Sequence, residues 1–248
     1  MHGRRRQQGS LAARLLRWCG IGLLAWVLVT ATPVLLLRWL RPLTSAFMLE
    51  ARVAAWREHE RAYHGEFQWV SLEQISPHAA IAVIASEDQQ FPFHAGFDFG
   101  SIREAVRESE RGRRLRGAST ISQQVAKNLF LWPGHSFVRK GLEAYFTVLI
   151  ETLWPKERIL EMYLNIVQFG EGIYGVQAAA QHFWHKPALR LSSSEAAVLA
   201  AVLPNPLRLR ADRPSHYVLQ RRDWILGQMR DLGGAAYLRA VESERTRH

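Results

Sequence analysis

The sequence has a single cysteine, Cys19, in 248 residues. One cysteine excludes a disulfide within the chain and any cysteine-rich metal site. Runs with the strict apolar–polar alternation of half-buried strands are scarce, and no internal repeat or low-complexity stretch occurs. Apolar residues recur instead at helical spacing through most of residues 66–230. The sequence therefore predicts a mainly α-helical domain.

Lysine is also scarce, although the chain is strongly basic. The 32 basic residues outnumber the 22 acidic ones, which gives a formal charge of +10 and favours an anionic partner: nucleic acid, an acidic lipid surface or a phosphorylated substrate. Arginine is the usual cation, and the only lysines are Lys127, Lys140, Lys156 and Lys186. These positions can mark sites that need a compact ammonium group, but background composition would also scatter four lysines.

The N-terminal part of the chain predicts a membrane anchor. Residues 1–17 are polar and basic, whereas residues 18–37 form an uncharged apolar run of 20 residues. A helix of about 20 apolar residues spans a bilayer core. Trp18 and Trp39 suit the two interfaces, so we expect the anchor to occupy residues 18–40.

The basic residues around this run predict its orientation. Five arginines precede it, whereas only Arg38 and Arg41 follow closely, which places residues 1–17 in the cytoplasm and the rest of the chain across the membrane. A cleaved signal peptide is the alternative, with residues 29–31 as a poor cleavage site. The apolar run continues to Leu37, and this favours an uncleaved anchor.

Beyond the anchor we expect three further parts. Residues 41–65 form a juxtamembrane segment, either an amphipathic helix near the membrane or a connector packed on the domain. Residues 66–230 form the globular domain, with short β-hairpin pieces compatible with residues 65–72. Residues 231–248 form the end of the last helix and a polar tail.

The first stretch with chemical potential is an apolar run that ends at two adjacent carboxylates, Glu87 and Asp88. Aromatic residues, His94 and Gly96 follow within ten residues. A carboxylate half-sunk in apolar surroundings can have its pKa raised into the range of a general base. The stretch is therefore read as a cleft wall, and the alternative is a helix end with solvated acids.

Two more stretches combine polar and cationic side chains. Ser119 or Thr120 can cap a helix on which Thr120, Gln124 and Lys127 share one face that suits a sugar or a phosphate. An ordinary amphipathic helix is the alternative. Further on, Glu143 follows Arg139 and Lys140 at helical spacing, either as a surface ion-pair cluster or beside a cationic phosphate seat. The predicted core-facing stripe of this last helix comprises Leu142, Tyr145, Phe146 and Leu149.

These stretches, in this order, resemble the peptidoglycan glycosyltransferase family, which includes the polymerising module of bifunctional penicillin-binding proteins. The resemblance is carried by residues 87–96, 117–128, 139–143, 159–165 with the glycines that follow, and 194–204. No Ser-x-x-Lys or Lys-Thr-Gly occurs, so we expect no acylation by penicillin and a closer likeness to monofunctional members.

The resemblance implies a lysozyme-like, two-lobed fold and a reaction on lipid II and a lipid-linked glycan strand. Glu87 would take the proton of the acceptor 4-hydroxyl, which attacks C1 of the donor with inversion and releases undecaprenyl pyrophosphate. Glu143 would be the second catalytic carboxylate. The implied substrate-binding residues are Asp88, Phe91, His94, Ser119, Thr120, Gln124, Lys127, Asn128, His135, Arg139 and Lys140. A moenomycin-type inhibitor is expected to block the donor seat.

The same resemblance places the chain in the bacterial inner membrane, as a single-pass protein with a periplasmic catalytic domain. Its protein partners are to be sought in the cell-division or elongation machinery, and nucleic acid is not among the expected partners. A divalent cation such as Mg²⁺ is compatible with the family, although no metal-ligand pattern stands out. One departure concerns His135, which stands where family members often have a phosphate-binding arginine. Neutral histidine would weaken that contact, and protonated histidine would restore it.

Two other functions are consistent with this pattern. A lytic enzyme on the same fold would cleave glycan with Glu87 as general acid. Its leaving group carries no phosphate, so it would not need the cations of Lys127, Arg139 and Lys140. A membrane-anchored scaffold protein would keep the fold without catalysis. Turnover of lipid II distinguishes these alternatives from the polymerase.

Overall fold

The computed structural model describes residues 11–59, 63–110, 119–134 and 136–242. The chain divides into two compact units, Met1–Leu40 and Arg41–His248, and each is described by itself. The first unit contains helix α1 (Leu11–Leu37). Within it, Ala13–Leu37 is long and apolar enough to cross a membrane, with a mean hydropathy of 2.2. The expected N-terminal apolar helix is present, and it starts before Trp18 because the preceding leucines and alanines also favour a helix.

The second unit is mainly helical, as predicted. Its helices are α2 (Ala46–Arg57), α3 (Pro77–Glu87), α4 (Phe99–Glu110), α5 (Ile121–Phe130), α6 (Phe137–Leu153), α7 (Lys156–Ile166), α8 (Val176–Trp184), α9 (Ser193–Val202), α10 (His216–Asp231) and α11 (Leu238–Glu242). Its strands are β1 (Glu66–Phe67), β2 (Gln168–Gly170) and β3 (Ile173–Tyr174).

The strands form one small sheet in the order β1-β3-β2. Strand β1 pairs in parallel with β3, more than 100 residues further along the chain, so the expectation of a local hairpin near residues 65–72 is wrong. This pairing arises because the chain turns tightly between β2 and β3 and pairs those two strands with each other. The free edge of β3 is then available for β1. Gly172 lies in this turn, with a φ of +69°. Gly175, which follows β3, has a φ of +82° and passes so close to the end of α7 that a Cβ there would lie 2.3 Å from the carbonyl oxygen of Asn165.

Helix α3 is the central helix of the second unit. Ser76 caps its start by accepting a hydrogen bond from the His78 N–H, and Pro77 stands in the first turn, where a missing N–H costs nothing. Every residue from 79 to 85 is buried, because α9 and α10 pack against the helix. The burial ends only at the last turn, so α3 carries Glu87 from the core to the edge of a cavity.

Helices α5, α6 and α7 form a second layer, in which α5 packs against the other two. Of the two predicted caps for α5, Thr120 is the one used. Its hydroxyl accepts a hydrogen bond from the Gln123 N–H, and the Thr120 N–H donates to Gln123 Oε1. A capping box of Ser192 and Glu195 is present at the start of α9. These caps set where the two helices begin.

Candidate active site

Glu87 ends α3 with its carboxylate held by a chain of two hydrogen bonds. The Gln124 Nε2 donates to Glu87 Oε2 at 2.8 Å, and the Tyr163 hydroxyl donates to Gln124 Oε1 at 3.1 Å. Burial raises the pKa of Glu87 above its usual value, against the lowering effects of the Gln124 hydrogen bond and of the charges on Arg221 and Lys127. The carboxylate is thus fixed in one position and made more basic, as a general base requires.

Asp88 points away from this carboxylate and organises the loop that follows. One of its oxygens accepts from the Ile121 N–H at 3.0 Å, and His94 Nε2 lies 2.9 Å from the other. The Gly96 N–H donates to His94 Nδ1, so Nε2 carries the proton that is donated to Asp88. The Thr120 hydroxyl donates to the Gly96 carbonyl at 2.7 Å and closes the loop against α5.

We expect Asp88→Ala to lower the free energy of unfolding by about 3 kcal/mol, because it leaves the buried N–H groups of Ile121 and His94 without an acceptor. Urea denaturation of the full chain in detergent measures this loss. Asp223→Ala, which removes an exposed carboxylate, is the control and should change stability by less than about 0.5 kcal/mol. Equal stability of the two variants would contradict the role of Asp88 as a loop anchor.

A buried lysine supports the same loop from behind. Lys156 is 4% exposed; its ammonium donates to the His94 carbonyl and to Glu151 Oε1, and lies 4.7 Å from the ring centre of Phe91. Phe91 is fully buried, so its position supports the loop rather than lining the cavity. The sequence marked Lys156 only as one of four lysines and gave no signal for Glu151, since their pairing depends on how α6 and α7 pack.

The cations converge on a cavity of about 480 Å³ between α2, α5 and the start of α6. Glu143 lies in its wall: Arg139 Nη1 donates to Glu143 Oε2 at 2.8 Å, and Lys140 Nζ donates to Glu143 Oε1. Lys127 lines the same cavity, so three cations face one carboxylate. The Nε of Arg139 is buried and has no hydrogen-bond partner among the described residues.

The predicted apolar stripe of α6 is wrong except at Phe146. The buried residues of this helix are Arg139, Glu143, Phe146, Thr147 and Ile150, whereas Leu142, Tyr145 and Leu149 are only half-buried. Charged residues take the inward face because it borders the cavity, where they pair with one another. Of the two interpretations of this cluster, the burial of Arg139 and Glu143 in the cavity wall favours the phosphate seat over a solvated ion-pair cluster, although Lys140 is exposed.

Lys127 differs from the other two cations in its surroundings. Burial lowers its pKa, the charges of Glu143 and Glu87 raise it, and those of Arg139 and Lys140 lower it. Its ammonium lies 5.5 Å from the ring centre of Phe47, which comes from α2 and also lines the cavity. Sequence reasoning missed Phe47, because nothing local predicts a contact between residues 80 positions apart.

The structure divides the predicted site residues into two groups. Those that line the cavity are Ser119, Gln124, Lys127, Arg139, Lys140 and Glu143, and Glu87 joins them through Gln124. Those held behind its wall are Asp88, Phe91, His94, Thr120 and Asn128, which are buried or nearly so and support the loop and helix α5. His135 lies outside the described residues, although its neighbours Pro133 and Gly134 line the cavity.

Over the described ranges, no group of three or more His, Cys, Asp or Glu side chains could hold a metal ion. Glu143, the carboxylate of the cavity, is already bonded to two cations.

Comparison with known proteins agrees with this geometry. The family model described as Transglycosylase matches residues 55–230. A protein of Pectobacterium carotovorum named biosynthetic peptidoglycan transglycosylase is 52% identical over 232 residues, which cover 88% of this chain and 95% of the relative. Proteins of the same name from Cronobacter sakazakii (53% over 231 residues, 93% and 96%) and Salmonella schwarzengrund (58% over 195 residues, 78% and 81%) are also similar.

These matches confirm the resemblance drawn from the five motifs, and with it the lysozyme-like, mainly helical fold class. The family model covers well over half of the chain, and the relatives are matched over most of their own lengths. The chain belongs to the transglycosylase family.

Proposed function

We propose that the protein polymerises lipid II into glycan strands, with transfer to the acceptor 4-hydroxyl, inversion at the donor C1 and release of undecaprenyl pyrophosphate. The enzyme class, a glycosyltransferase of peptidoglycan synthesis, is confirmed by the family match and the names of the relatives. The observation that carries the detailed proposal is the position of Glu87, whose pKa is raised and which is hydrogen-bonded to Gln124. Gln124 lines a cavity that also contains three cations and Glu143.

Glu87 acts first, as the general base. It takes the proton from the acceptor hydroxyl while that oxygen forms the new bond to C1 of the donor sugar. Its raised pKa improves this transfer, because a more basic carboxylate provides more driving force for accepting the proton. Gln124 holds the carboxylate toward the acceptor, and Tyr163 in turn fixes the amide of Gln124.

The leaving group departs as the C1–oxygen bond to the pyrophosphate breaks, and negative charge grows on that oxygen. This charge is greater in the transition state than in the ground state. Its stabilisation by Lys127, Arg139 and Lys140 therefore lowers the barrier to transfer. Glu143 acts as the second catalytic carboxylate by orienting Arg139 and Lys140, to which it is bonded. Asp88 and His94 hold the loop after Glu87 in place.

The same proposal covers the location of the enzyme. Residues 1–17 lie in the cytoplasm, residues 18–40 cross the inner membrane, and the juxtamembrane segment 41–65 leads to a periplasmic catalytic domain over residues 66–230 and a C-terminal end over 231–248. The apolar helix near the N-terminus supports anchoring. A substrate with a long polyprenyl chain stays in the bilayer, so an anchored enzyme meets it there.

Incubation of the full chain with labelled lipid II tests the function. The polymerase converts it into glycan strands and releases one undecaprenyl pyrophosphate for each new glycosidic bond. A lytic enzyme would leave lipid II intact and shorten added polymer, and a scaffold would leave both lipid II and polymer unchanged. Either of these two results would overturn the proposal.

We expect the acid limb of the pH dependence of kcat/KM to lie above pH 4.5, because Glu87 must be ionised and burial raises its pKa. Gln124→Ala should move this limb to still higher pH, since it removes a hydrogen bond that lowers that pKa. Gln90→Ala, which changes an exposed glutamine near the same loop, is the control and should leave the limb in place. A limb that moves to lower pH in Gln124→Ala would count against Glu87 as the titrating base.

A further inference from the structure

Helix α2 contributes to the catalytic cavity although most of it precedes residues 55–230, the range matched by the family model. Its start is fixed, because the buried Ser45 accepts a hydrogen bond from the Met48 N–H and Met48 is itself buried. The helix packs against α5, which carries Lys127. Phe47, between these two anchors, faces the cavity.

The three cations of the cavity are held in different ways. Arg139 and Lys140 are bonded to Glu143, which fixes their positions. Lys127 makes no ion pair within the described part of the chain, and its ammonium lies against the ring of Phe47. A lysine head group on a four-carbon stem adopts many positions unless something holds it. An aromatic ring can do so while leaving the N–H donors free for an anion, which a carboxylate partner would occupy.

We propose that Phe47 is a positioning residue for the transfer reaction, whose ring holds the ammonium of Lys127 in the leaving-group seat without neutralising it. The inference rests on the proposed function of the cavity. It also gives the segment before the family domain a direct part in the site: α2 forms one wall of the seat and holds one of its three cations.

Replacement of Phe47 by leucine and by tyrosine separates this role from simple packing. Leucine keeps an apolar side chain that excludes water but has no π-face, whereas tyrosine keeps the ring. Phe47→Leu should lower kcat for lipid II polymerisation by about 2- to 30-fold, the range expected for loss of a partly buried cation–π contact, and Phe47→Tyr should restore most of it. Trp56→Leu, a change at an aromatic residue 79% exposed on the same helix, is the matched control and should leave kcat unchanged.

The alkaline limb of kcat/KM provides a readout that packing alone would not move. The charged groups acting on Lys127 are Glu143, Arg139 and Lys140 on α6 and Glu87 on α3, and none of them is altered by the substitution. Loss of the ring while water stays excluded makes the ammonium easier to deprotonate. The limb in Phe47→Leu should therefore move to lower pH, by about half to one and a half units, and return in Phe47→Tyr.

The outcomes are distinguishable from failure of the proposed function. If the wild type makes no polymer, the function itself is wrong. If the wild type polymerises lipid II and Phe47→Leu matches it in both kcat and alkaline limb, the role of Phe47 is wrong. Equal losses in Phe47→Leu and Phe47→Tyr would also overturn it. Should the unfolding temperature of Phe47→Leu fall, Phe47→Met makes the same comparison with an unbranched apolar side chain.

Discussion

Glu87→Gln is expected to reduce lipid II polymerisation by about 10²- to 10⁴-fold, the usual contribution of a general base. The amide has nearly the same shape and can still accept the hydrogen bond from Gln124, so the loss reflects the missing proton acceptor and not a collapsed site. Steady-state rates of polymer formation measure the effect. Glu171→Gln, at an exposed glutamate in the turn between β2 and β3, is the control and should retain the wild-type rate.

The stability of the same variant should not fall. Because burial raises the pKa of Glu87, its ionised form at neutral pH is less stable in the folded protein than in the unfolded chain. Neutral glutamine removes this cost above the raised pKa, so the unfolding temperature at pH 7 should be unchanged or higher. A variant that is inactive because it unfolds would contradict the assignment, as would one that remains active.

Lys127→Gln is expected to reduce kcat by about 10²- to 10³-fold, comparable to the loss of one preorganised donor that stabilises charge in a transition state. The affinity for lipid II should change much less, because the charge on the leaving oxygen is greater in the transition state than in the bound substrate. The measurement is a comparison of kcat and KM for polymerisation. Lys186→Gln is the matched control: Lys186 pairs with Glu195 and takes no part in the cavity.

A loss confined to KM in Lys127→Gln would show that the ammonium serves binding alone and not the transition state. Since burial lowers the pKa of Lys127, the wild-type enzyme should also lose activity at alkaline pH before an exposed lysine would deprotonate. The pH dependence of the wild-type polymerisation rate measures this fall.

The sequence predicted the site best where local chemistry decides the structure. An apolar run ending at Glu87 and Asp88 shows where a buried helix reaches an edge, and α3 ends there. The spacing of Arg139, Lys140 and Glu143 on one helix is enough to bring their side chains together, and the structure pairs them. Both inferences need only the periodicity of a helix.

Prediction from sequence was weaker wherever a side chain could face two ways. Thr120, Gln124 and Lys127 share a helical spacing, but Thr120 is the cap of α5, and its hydroxyl is used by Gly96 and Gln123 instead of facing the cavity. Asp88 and Glu87 are adjacent in sequence yet point to different partners. Which neighbour turns toward the cavity is decided by the packing of α5 against the loop after α3.

Long-range contacts could not be predicted from one sequence at all. Phe47 meets Lys127, and Lys156 supports the loop at His94, only because helices distant along the chain pack together. The parallel pairing of β1 with β3 has the same origin. These contacts depend on the tertiary arrangement, which no short motif specifies.

The most direct test of the central claim is a crystal structure of the full chain with a non-reactive lipid II analogue that keeps its diphosphate. The account predicts that Lys127, Arg139 and Lys140 contact the diphosphate oxygens, and that an acceptor 4-hydroxyl lies within hydrogen-bond reach of Glu87, about 2.6–3.2 Å. A diphosphate bound away from these three cations, or a Glu87 carboxylate facing no sugar hydroxyl, would contradict it.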